Sequence, residues 1–455
     1  MATRKVIEIR GENEGKDRVP FGELRLDGKR IVGRFGQRTG SGDDTIYERL
    51  GERFATEAEA AARFEALISS RLKNYRKQKR EEIELPATDD TLAGGAFEPA
   101  LEREVIGARD AATARGASTV YADWLQQQGD VRGELASLWL AGQEADARAW
   151  LANNATKLFG ELDVQLDNEV YDLVWEHGFL RGASLKRASM ESATDLAELT
   201  RTFLALPVAR LVTSLRFGLA GYESDNDWGP TLAAVAESPI AAQLRSLRFD
   251  DYTSEDCEIS WTAFGDFSPY WSQLPALEEL VIRSGEGGTL GDLSLPKLKR
   301  FARISGGLSS EELGAIASAT WPELESLEVW TGDENYGASG SVDSLKPLLE
   351  GKAPKTLTHL GIVNCEFVHE LIARLAASPL LRQLQTLDLS KGALTDADVE
   401  PLLQHADAFA HLASLDLTEN LLEALGDAIT SRLPNAHVGE QRENDRDSRY
   451  VALGE

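Results

Sequence analysis

A short apolar unit, L-x-x-L-x-L, recurs eight times between residues 212 and 417 and constrains the fold more than any other feature of the chain. The fullest copies, LQTLDL and LASLDL, open and close the stretch 384–417. Successive middle apolar residues are separated by 32, 33, 21, 26, 33, 27 and 28 positions. Such a period indicates a repeat protein, in which a single unit is too small to bury its own apolar face. The middle residues are Leu215, Leu247, Leu280, Phe301, Leu327, Leu360, Leu387 and Leu415.

Segments with helical apolar spacing lie between the copies, for example SEELGAIASAT at 310–320 and FVHELIARLAAS at 367–378. Each unit is therefore predicted to be a strand followed by a helix. The pattern resembles the cytoplasmic, ribonuclease-inhibitor-like leucine-rich repeat family. This resemblance implies an α/β fold, a horseshoe-shaped solenoid of about eight strand-helix repeats over residues 169–438. It also implies a binding surface rather than a reaction.

The predicted binding surface has two parts. Side chains alternate along a strand, so the positions between the leucines project from the concave face. Long acidic and aromatic loops at 218–229, 250–271 and 331–341 follow three of the strands, and parallel strands would bring them to one rim. Aromatic rings beside carboxylates suit a partner that carries Lys or Arg. The predicted protein-binding residues are Arg216, Arg248, Asp250, Arg283, Glu328, Trp330, Asp333, Tyr336, His359, Asp388, Asp416, Tyr222 and Trp228.

Two alternatives remain open for this surface. Inserted loops can carry acids for solubility and pack their aromatic side chains onto the core. In the same way, Trp330 can pack under a neighbouring loop instead of binding a partner, because Trp is usually mostly buried. The acidic runs at 225–227 and 333–335 also permit a calcium interpretation, but neither has the spacing of an EF-hand.

The amino-terminal residues predict a separate small α+β domain. Residues 4–36 alternate apolar and polar side chains in short runs separated by turn residues, which is typical of antiparallel strands. A helical pattern follows at 54–77. Residues 4–77 resemble a WGR domain, a module of poly(ADP-ribose) polymerases and of bacterial proteins similar to the molybdate metabolism regulator. The Trp-Gly-Arg tripeptide of that family falls on Phe35-Gly36-Gln37, so only the glycine is kept.

In the polymerases the WGR domain helps to bind DNA ends, so the resemblance implies nucleic-acid binding by residues 1–80 as an alternative function. These residues hold 19 Lys and Arg against 13 Asp and Glu, a net charge of +6 that leaves −33 for the remainder. Basic side chains at a helix end are also favourable beside the negative pole of the helix dipole without any ligand. The residues predicted to contact phosphate are Arg34, Arg38, Lys73, Arg76 and Lys77.

Three further segments complete the predicted organisation. Residues 81–100 lack periodicity and collect Pro, Gly and Asp, which predicts a linker. Residues 101–168 predict a short helical domain, and VYADWLQQQGDVRGELASLWLA within it resembles the bacterial repeat-companion domain. Residues 439–455 predict a polar tail that ends in disorder.

Composition and motifs limit the function further. No apolar run reaches the roughly 18 residues of a membrane span, and charges occupy the place of a signal peptide's apolar region. A cytoplasmic location is therefore expected. The six histidines and two cysteines show no metal-ligand spacing, and no nucleophile elbow or phosphate-binding loop is present. We expect no enzyme activity, no catalytic residues, no metal and no cofactor. The oligomeric state stays open.

Overall fold

The structure, a computed structural model, describes residues 3–12, 18–27, 30–39, 44–53, 57–86, 95–162, 171–187, 195–221, 225–285, 287–443 and 450–454. It places the chain in the mixed α/β class. A five-stranded antiparallel sheet forms the amino-terminal domain, and an eleven-stranded, mostly parallel sheet occupies the carboxyl-terminal part.

The amino-terminal sheet has the strand order β4-β3-β2-β1-β5. Helix α1 (Glu57–Leu67) continues as a π-helical turn (Ile68–Leu72) and packs Phe64 and Leu72 against the sheet. Phe35 is buried in this small core. The strands are β1 (Thr3–Glu12), β2 (Arg18–Asp27), β3 (Arg30–Thr39), β4 (Asp44–Arg53) and β5 (Lys77–Pro86).

Strand β5 changes one predicted boundary. Residues 81–86 belong to this strand, which pairs antiparallel with β1 along its whole length, so the predicted linker at 81–100 begins too early. The sequence EEIE supplies strand-compatible alternation that the Pro and Gly farther along obscured. The linker also ends too late, because helix α2 starts at Pro99.

Four helices follow: α2 (Pro99–Gly107), α3 (Ala111–Gln127), α4 (Val131–Leu140) and α5 (Glu144–Phe159). Asp110 and Asp130 cap α3 and α4 by accepting hydrogen bonds from the backbone amides of Thr113 and Arg132 in the first turn of each helix. Leu135 of α4 and Leu158 of α5 belong to the same apolar core as the large sheet. The helices predicted as a separate domain therefore cover the first end of the repeated core.

The large sheet has the order β18-β17-β16-β15-β14-β13-β11-β9-β8-β7-β6. An antiparallel hairpin of β6 (Tyr171–Glu176) and β7 (Phe179–Leu185) begins it, and every later neighbour is parallel. The remaining strands are β8 (Ser214–Phe217), β9 (Ser246–Phe249), β11 (Glu279–Arg283), β13 (Arg300–Ile304), β14 (Ser326–Gly332), β15 (His359–Cys365), β16 (Thr386–Asp388), β17 (Ser414–Asp416) and β18 (Ala436–His437). Strands β10 (Gly265–Asp266) and β12 (Gly288–Thr289) form a separate small pair.

The register confirms the sequence repeat. The eight middle apolar residues pair with one another in order across β8 to β17, from Leu215 opposite Leu247 to Leu387 opposite Leu415. Each of them is at most 1% exposed. A register slip of one residue would turn this whole row outward, so burial of the row fixes the alignment of the strands.

The connecting helices are shorter and more varied than the sequence predicts. The α-helices are α6 (Leu196–Leu204), α7 (Gly229–Ala236), α8 (Ser310–Ser318), α9 (Val368–Ala377), α10 (Val399–Gln404), α11 (Ala406–Phe409) and α12 (Gly426–Arg432). Between β14 and β15 the connection is a 3₁₀ turn (Val342–Leu345) and a π-helical turn (Leu348–Lys352) on either side of Pro347. None of the described helices combines the length and the apolar composition that a membrane crossing requires.

The predicted tail is wrong in its final part. Tyr450–Gly454 does not trail away from the fold, because Val451 is buried against Ala393 and Leu421. We call residues 450–454 the return segment.

Candidate protein-binding face

One face of the large sheet carries the side chains that alternate with the buried leucines, and we call it the open face. Its central row runs across the strands in register. The row consists of Arg216, Arg248, Val281, Ala302, Glu328, Gly361, Asp388 and Asp416. The row is thus basic at its first two positions and acidic at its last ones, with Val281 and Ala302 between Arg248 and Glu328.

On the basic half of the open face, which comprises β8 to β13, the arginines form ion pairs with carboxylates of the same half. Asp250, whose side chain is 6% exposed, accepts from both Arg216 (Nε to Oδ1, 2.6 Å) and Arg248 (Nη2 to Oδ2, 2.5 Å). Glu279 lies 3.3 Å from the guanidinium of Arg248 and 3.7 Å from that of Arg300. Arginines and carboxylates thus alternate in an ion-pair ladder, and the predicted binding residues Arg216, Arg248 and Asp250 are partners of one another.

The acidic half, on β14 to β17, is arranged differently. Asp388 accepts from the backbone amide of Ser390 (2.8 Å), and Asp416 accepts from the amide and hydroxyl of Thr418 (2.9 and 2.7 Å). Within the described residues no ion pair reaches Asp388 or Asp416. Burial raises the pKa of Asp388, and the neighbouring Asp416 and Glu328 carboxylates raise it further. A cation placed here would relieve this repulsion.

Gly361 is buried in the middle of the acidic half. A Cβ built on this glycine would lie 3.2 Å from Cγ of Glu328, 3.3 Å from a methyl group of Val363 and 3.7 Å from Cβ of Asp388. Neighbouring side chains therefore close over the glycine, and its lack of a side chain lets the Glu328 and Asp388 side chains approach each other across β15.

Trp330 and His359 border the same half. The indole of Trp330 is half-buried, donates from Nε1 to Glu328 (2.8 Å) and has the ammonium of Lys391 6.0 Å from its ring centre. Trp330 is therefore neither a core side chain nor fully exposed, and its role in binding a partner stays a prediction. His359 is also half-buried, and its Nδ1 lies 2.7 Å from the hydroxyl of Thr386 on the next strand.

Two residues predicted to bind at the rim, Trp228 and Asp333, instead stabilise the loops. Trp228 is fully buried and donates from Nε1 to the carbonyl of Gly218 (2.8 Å). Asp333 is 2% exposed and caps the 3₁₀ turn Glu334–Tyr336 by accepting from the amide of Asn335 (2.8 Å). The prediction that the inserted loops present their aromatic side chains to a partner is wrong for Trp228, and the alternative of packing onto the core holds there.

The remaining residues predicted to bind at the rim are Arg283, Tyr336 and Tyr222. Arg283 is half-buried, with its guanidinium 5.1 Å from the ring centre of the buried Tyr252. Tyr336 is half-buried beside the return segment. Tyr222 lies outside the described residues. In the acidic run at 225–227, Asn226 accepts from the amide of Ala220 and holds its own loop, which explains that run without a cation.

The basic residues of the amino-terminal domain are only partly described. Arg34 and Arg38 lie on β3, and their side chains lie outside what the structure describes. Lys73, Arg76 and Lys77 are exposed. Lys77 belongs to β5 and not to the end of the helix, so the helix-dipole explanation does not apply to it.

The sequence analysis missed Arg303, which stands in the third apolar position of its repeat. Its side chain is fully buried and pairs with Glu312 (Nε to Oε1, 2.6 Å). It also donates to the carbonyls of Ser284 and Gly285 at 2.9 Å each. These contacts satisfy the buried guanidinium. A charged residue in an otherwise apolar column is the signal that could have found it.

No metal site or reactive thiol emerges from the part of the chain that the structure describes. Its His, Cys, Asp and Glu side chains form no group of three or more that could hold a metal ion. Cys257 and Cys365 are both buried. Burial raises the pKa of Cys365 to about 12, so this thiol stays protonated and unreactive at neutral pH.

Comparisons with known proteins show the fold alone. No protein-family model and no curated protein sequence matches the chain. The chain is similar to the crystal structure of a Bacteroides fragilis protein from a structural genomics consortium, with 20% identity and a TM-score of 0.52 over 98% of this chain and 99% of that one. A second similar structure is a complex of TLR13 with a single-stranded RNA, with 19% identity and a TM-score of 0.30 over 52% of this chain and 33% of that one.

Proposed function

We propose that the chain is a non-catalytic, cytosolic recognition module that binds a basic segment of a partner protein on the acidic half of its open face. In this proposal the eight copies form a leucine-rich repeat solenoid, and the open face is its concave surface. The matched register of the eight strands and the burial of their middle residues support the solenoid.

The observation that carries the proposal is the charge of Asp388 and Asp416, which no ion pair among the described residues compensates, whereas Glu328 in the same half lies 4.0 Å from the guanidinium of Arg300. Asp388 and Asp416 face each other on adjacent strands, and each accepts hydrogen bonds only from neutral groups among the described contacts. Like charges directly opposite each other destabilise a sheet, so the arrangement costs free energy in the unbound chain. A Lys or Arg from a partner would recover that free energy on binding, which makes the cost useful for recognition.

The surroundings of the two aspartates suit a side chain rather than a free ion. The half-buried indole of Trp330 provides a large apolar surface on the same half of the open face. Trp and Arg are the residue types that most often dominate binding energy at protein interfaces. A Lys or Arg side chain that binds at this half would therefore meet both a carboxylate and an aromatic ring.

The test is quantitative affinity capture with the immobilised full chain from a lysate of the organism that encodes it. We expect the Asp388→Asn/Asp416→Asn double variant to lose the captured protein. The matched control is Asp343→Asn/Asp407→Asn, which changes the net charge equally but at two exposed carboxylates away from the open face. Trp330→Ala should weaken capture by about thirtyfold, whereas Trp261→Ala, at an exposed Trp of another loop, should leave it unchanged.

Capture that survives the Asp388→Asn/Asp416→Asn exchange as well as it survives the control exchange would contradict the proposal. So would a captured protein whose binding is insensitive to salt, because a desolvated ion pair at a partly exposed site is weakened by screening.

Nucleic-acid binding by the amino-terminal domain is the second candidate function. The exposed Lys73, Arg76 and Lys77 and the net charge of +6 over residues 1–80 favour it. It predicts salt-dependent retention of a DNA duplex that Lys73→Glu weakens and that Lys355→Glu, at an exposed lysine of the repeats, does not. No retention at low salt would exclude it.

A further inference from the structure

The return segment lies across the edge of the large sheet at the carboxyl ends of β13 to β17. Its Ala452 amide donates to the carbonyl of Lys391 (2.9 Å), in the loop after β16. Leu453 pairs with Asn364 near the end of β15, and Gly454 lies against Gly306 after β13. The segment therefore runs across successive repeats, roughly at right angles to their strands.

Asn364 recognises the backbone of the return segment. Its Nδ2 donates to the carbonyl of Leu453 (2.6 Å), and its Oδ1 accepts from the amide of the same residue (2.8 Å). Asn364 is fully buried and has a φ of 54°, a left-handed conformation that Asn adopts more readily than most residues. The paired bonds imitate the exchange between two strands and place no demand on the Leu453 side chain.

The equally buried Asn420 provides a contrast. Its side chain bonds to the backbone of Leu389, Leu417 and Leu394, all of which belong to the repeats themselves. Asn420 thus completes the repeat framework, whereas both side-chain hydrogen bonds described for Asn364 go to the return segment. The hydrogen-bonding groups of the Asn364 side chain are therefore available to the backbone of an extended peptide, and the return segment uses them here.

Side-chain contacts determine which residues fit at two positions of the return segment. Val451 is 6% exposed and packs on Ala393 and Leu421, whereas Ala452 is exposed. At Gly454 a Cβ would lie 2.3 Å from a ring carbon of Tyr336, so only glycine fits. The edge therefore accepts the sequence Val-x-x-Gly, with a buried first position and no room for a side chain at the last.

We propose that this edge is a binding groove for an extended peptide of Val-x-x-Gly type from a partner protein, and that the return segment occupies it in cis. One buried side chain and a few hydrogen bonds hold the segment, which is typical of elements that open locally at low cost. The groove adjoins the acidic half, because Lys391 accepts from Ala452 through its carbonyl and lies over Trp330 with its ammonium. Its recognition chemistry is nevertheless separate and does not rest on the charge of Asp388.

The experiment measures binding of a fluorescein-labelled YVALGE peptide, the sequence of residues 450–455, to the full chain by fluorescence anisotropy. Val451→Asp in the chain places a charge in the buried pocket and releases the segment. Ala452→Asp is the matched control, since it adds the same charge at an exposed position of the same segment. A tethered occupant competes at millimolar effective concentration, so we expect Val451→Asp to bind the peptide at least about tenfold more tightly than wild type or Ala452→Asp.

A peptide carrying Gly454→Ala should bind the Val451→Asp chain at least about tenfold more weakly, because its methyl group meets the Tyr336 ring. Equal binding of the two peptides, or equal affinity of the Val451→Asp chain and wild type, would overturn the proposal. A further control distinguishes this groove from the acidic half. None of the contacts described for the return segment involves Asp388, so adding Asp388→Asn to Val451→Asp should leave the peptide affinity unchanged.

Discussion

The two halves of the open face share one backbone arrangement and differ in how their charges are paired. On the basic half, Asp250 serves two arginines and Glu279 serves two more guanidinium contacts, so nearly every charge has an opposite neighbour. On the acidic half, Asp388 and Asp416 lie directly opposite each other and contact only neutral donors among the described residues.

This difference suggests that the basic half stabilises the sheet and that the acidic half binds a partner. A ladder that satisfies itself stabilises its own strands, and a partner that approached it would have to break existing ion pairs. At a pair of facing carboxylates, by contrast, a cationic partner relieves repulsion and so binds more favourably. Arg216 and Arg248 looked like binding residues in the sequence, and the structure gives them partners within the sheet. We therefore expect substitutions on the basic half to change stability and substitutions on the acidic half to change binding.

The largest effect should come from breaking the ladder at Arg248. Arg248→Ala removes the ion pairs to Asp250 and Glu279 and leaves the buried Asp250 with Arg216 alone. We expect the free energy of unfolding to fall by about 2 kcal/mol, as for the loss of charged hydrogen bonds at a partly buried site.

Urea denaturation followed by circular dichroism measures this change. The control is Arg374→Ala, which removes a comparable ion pair to Asp343 at an exposed surface position and should cost less than about 0.5 kcal/mol. Equal losses for the two variants would mean that the ladder contributes no more than an ordinary surface ion pair.

A smaller, pH-dependent effect should mark the border of the acidic half. Burial raises the pKa of Glu366 to about 7 from the usual 4.5, and the neighbouring carboxylates of Asp333 and Glu334 add to the shift. The folded chain therefore holds this proton more tightly than the unfolded chain, and the stabilisation present below pH 4.5 is lost as the pH rises through 7.

We expect the wild type to lose up to about 1 kcal/mol of stability between pH 5.5 and pH 8.5 from this group, a value reduced for its partial solvent exposure. Glu366→Gln should remove that part of the pH dependence. Thermal unfolding of both chains across this range compares them, and parallel pH profiles would contradict the assignment to Glu366.

The fold was predictable from the sequence where one period governed many residues. Leu387 and Leu415 lie in near-identical units, so their alignment followed from the repeat. The loops were less predictable, because burial of Trp228 depends on a carbonyl at Gly218 and on a core that no local pattern describes. The return segment was the hardest, since Leu453 pairs with a residue 89 positions earlier in the chain.

The ion pairs of the basic half could have been predicted from the sequence repeat. Asp250 follows Arg248 by two residues on the same side of the strand, and Arg216 occupies the matching position one repeat before. The repeat alone therefore places one carboxylate between two guanidinium groups. The raised pKa of Asp388 could not be derived in that way, because it depends on burial as well as on the neighbouring carboxylates.

The most direct test makes the same substitution in both halves and compares the free energies of unfolding by urea at low ionic strength. Asp250→Asn should lose about 2 kcal/mol, because it removes a charge shared by two arginines. Asp388→Asn should gain about 0.5 kcal/mol, because it removes repulsion from Asp416 and keeps an acceptor for Ser390. Opposite signs are the predicted result, and two losses of similar size would contradict the division of the open face.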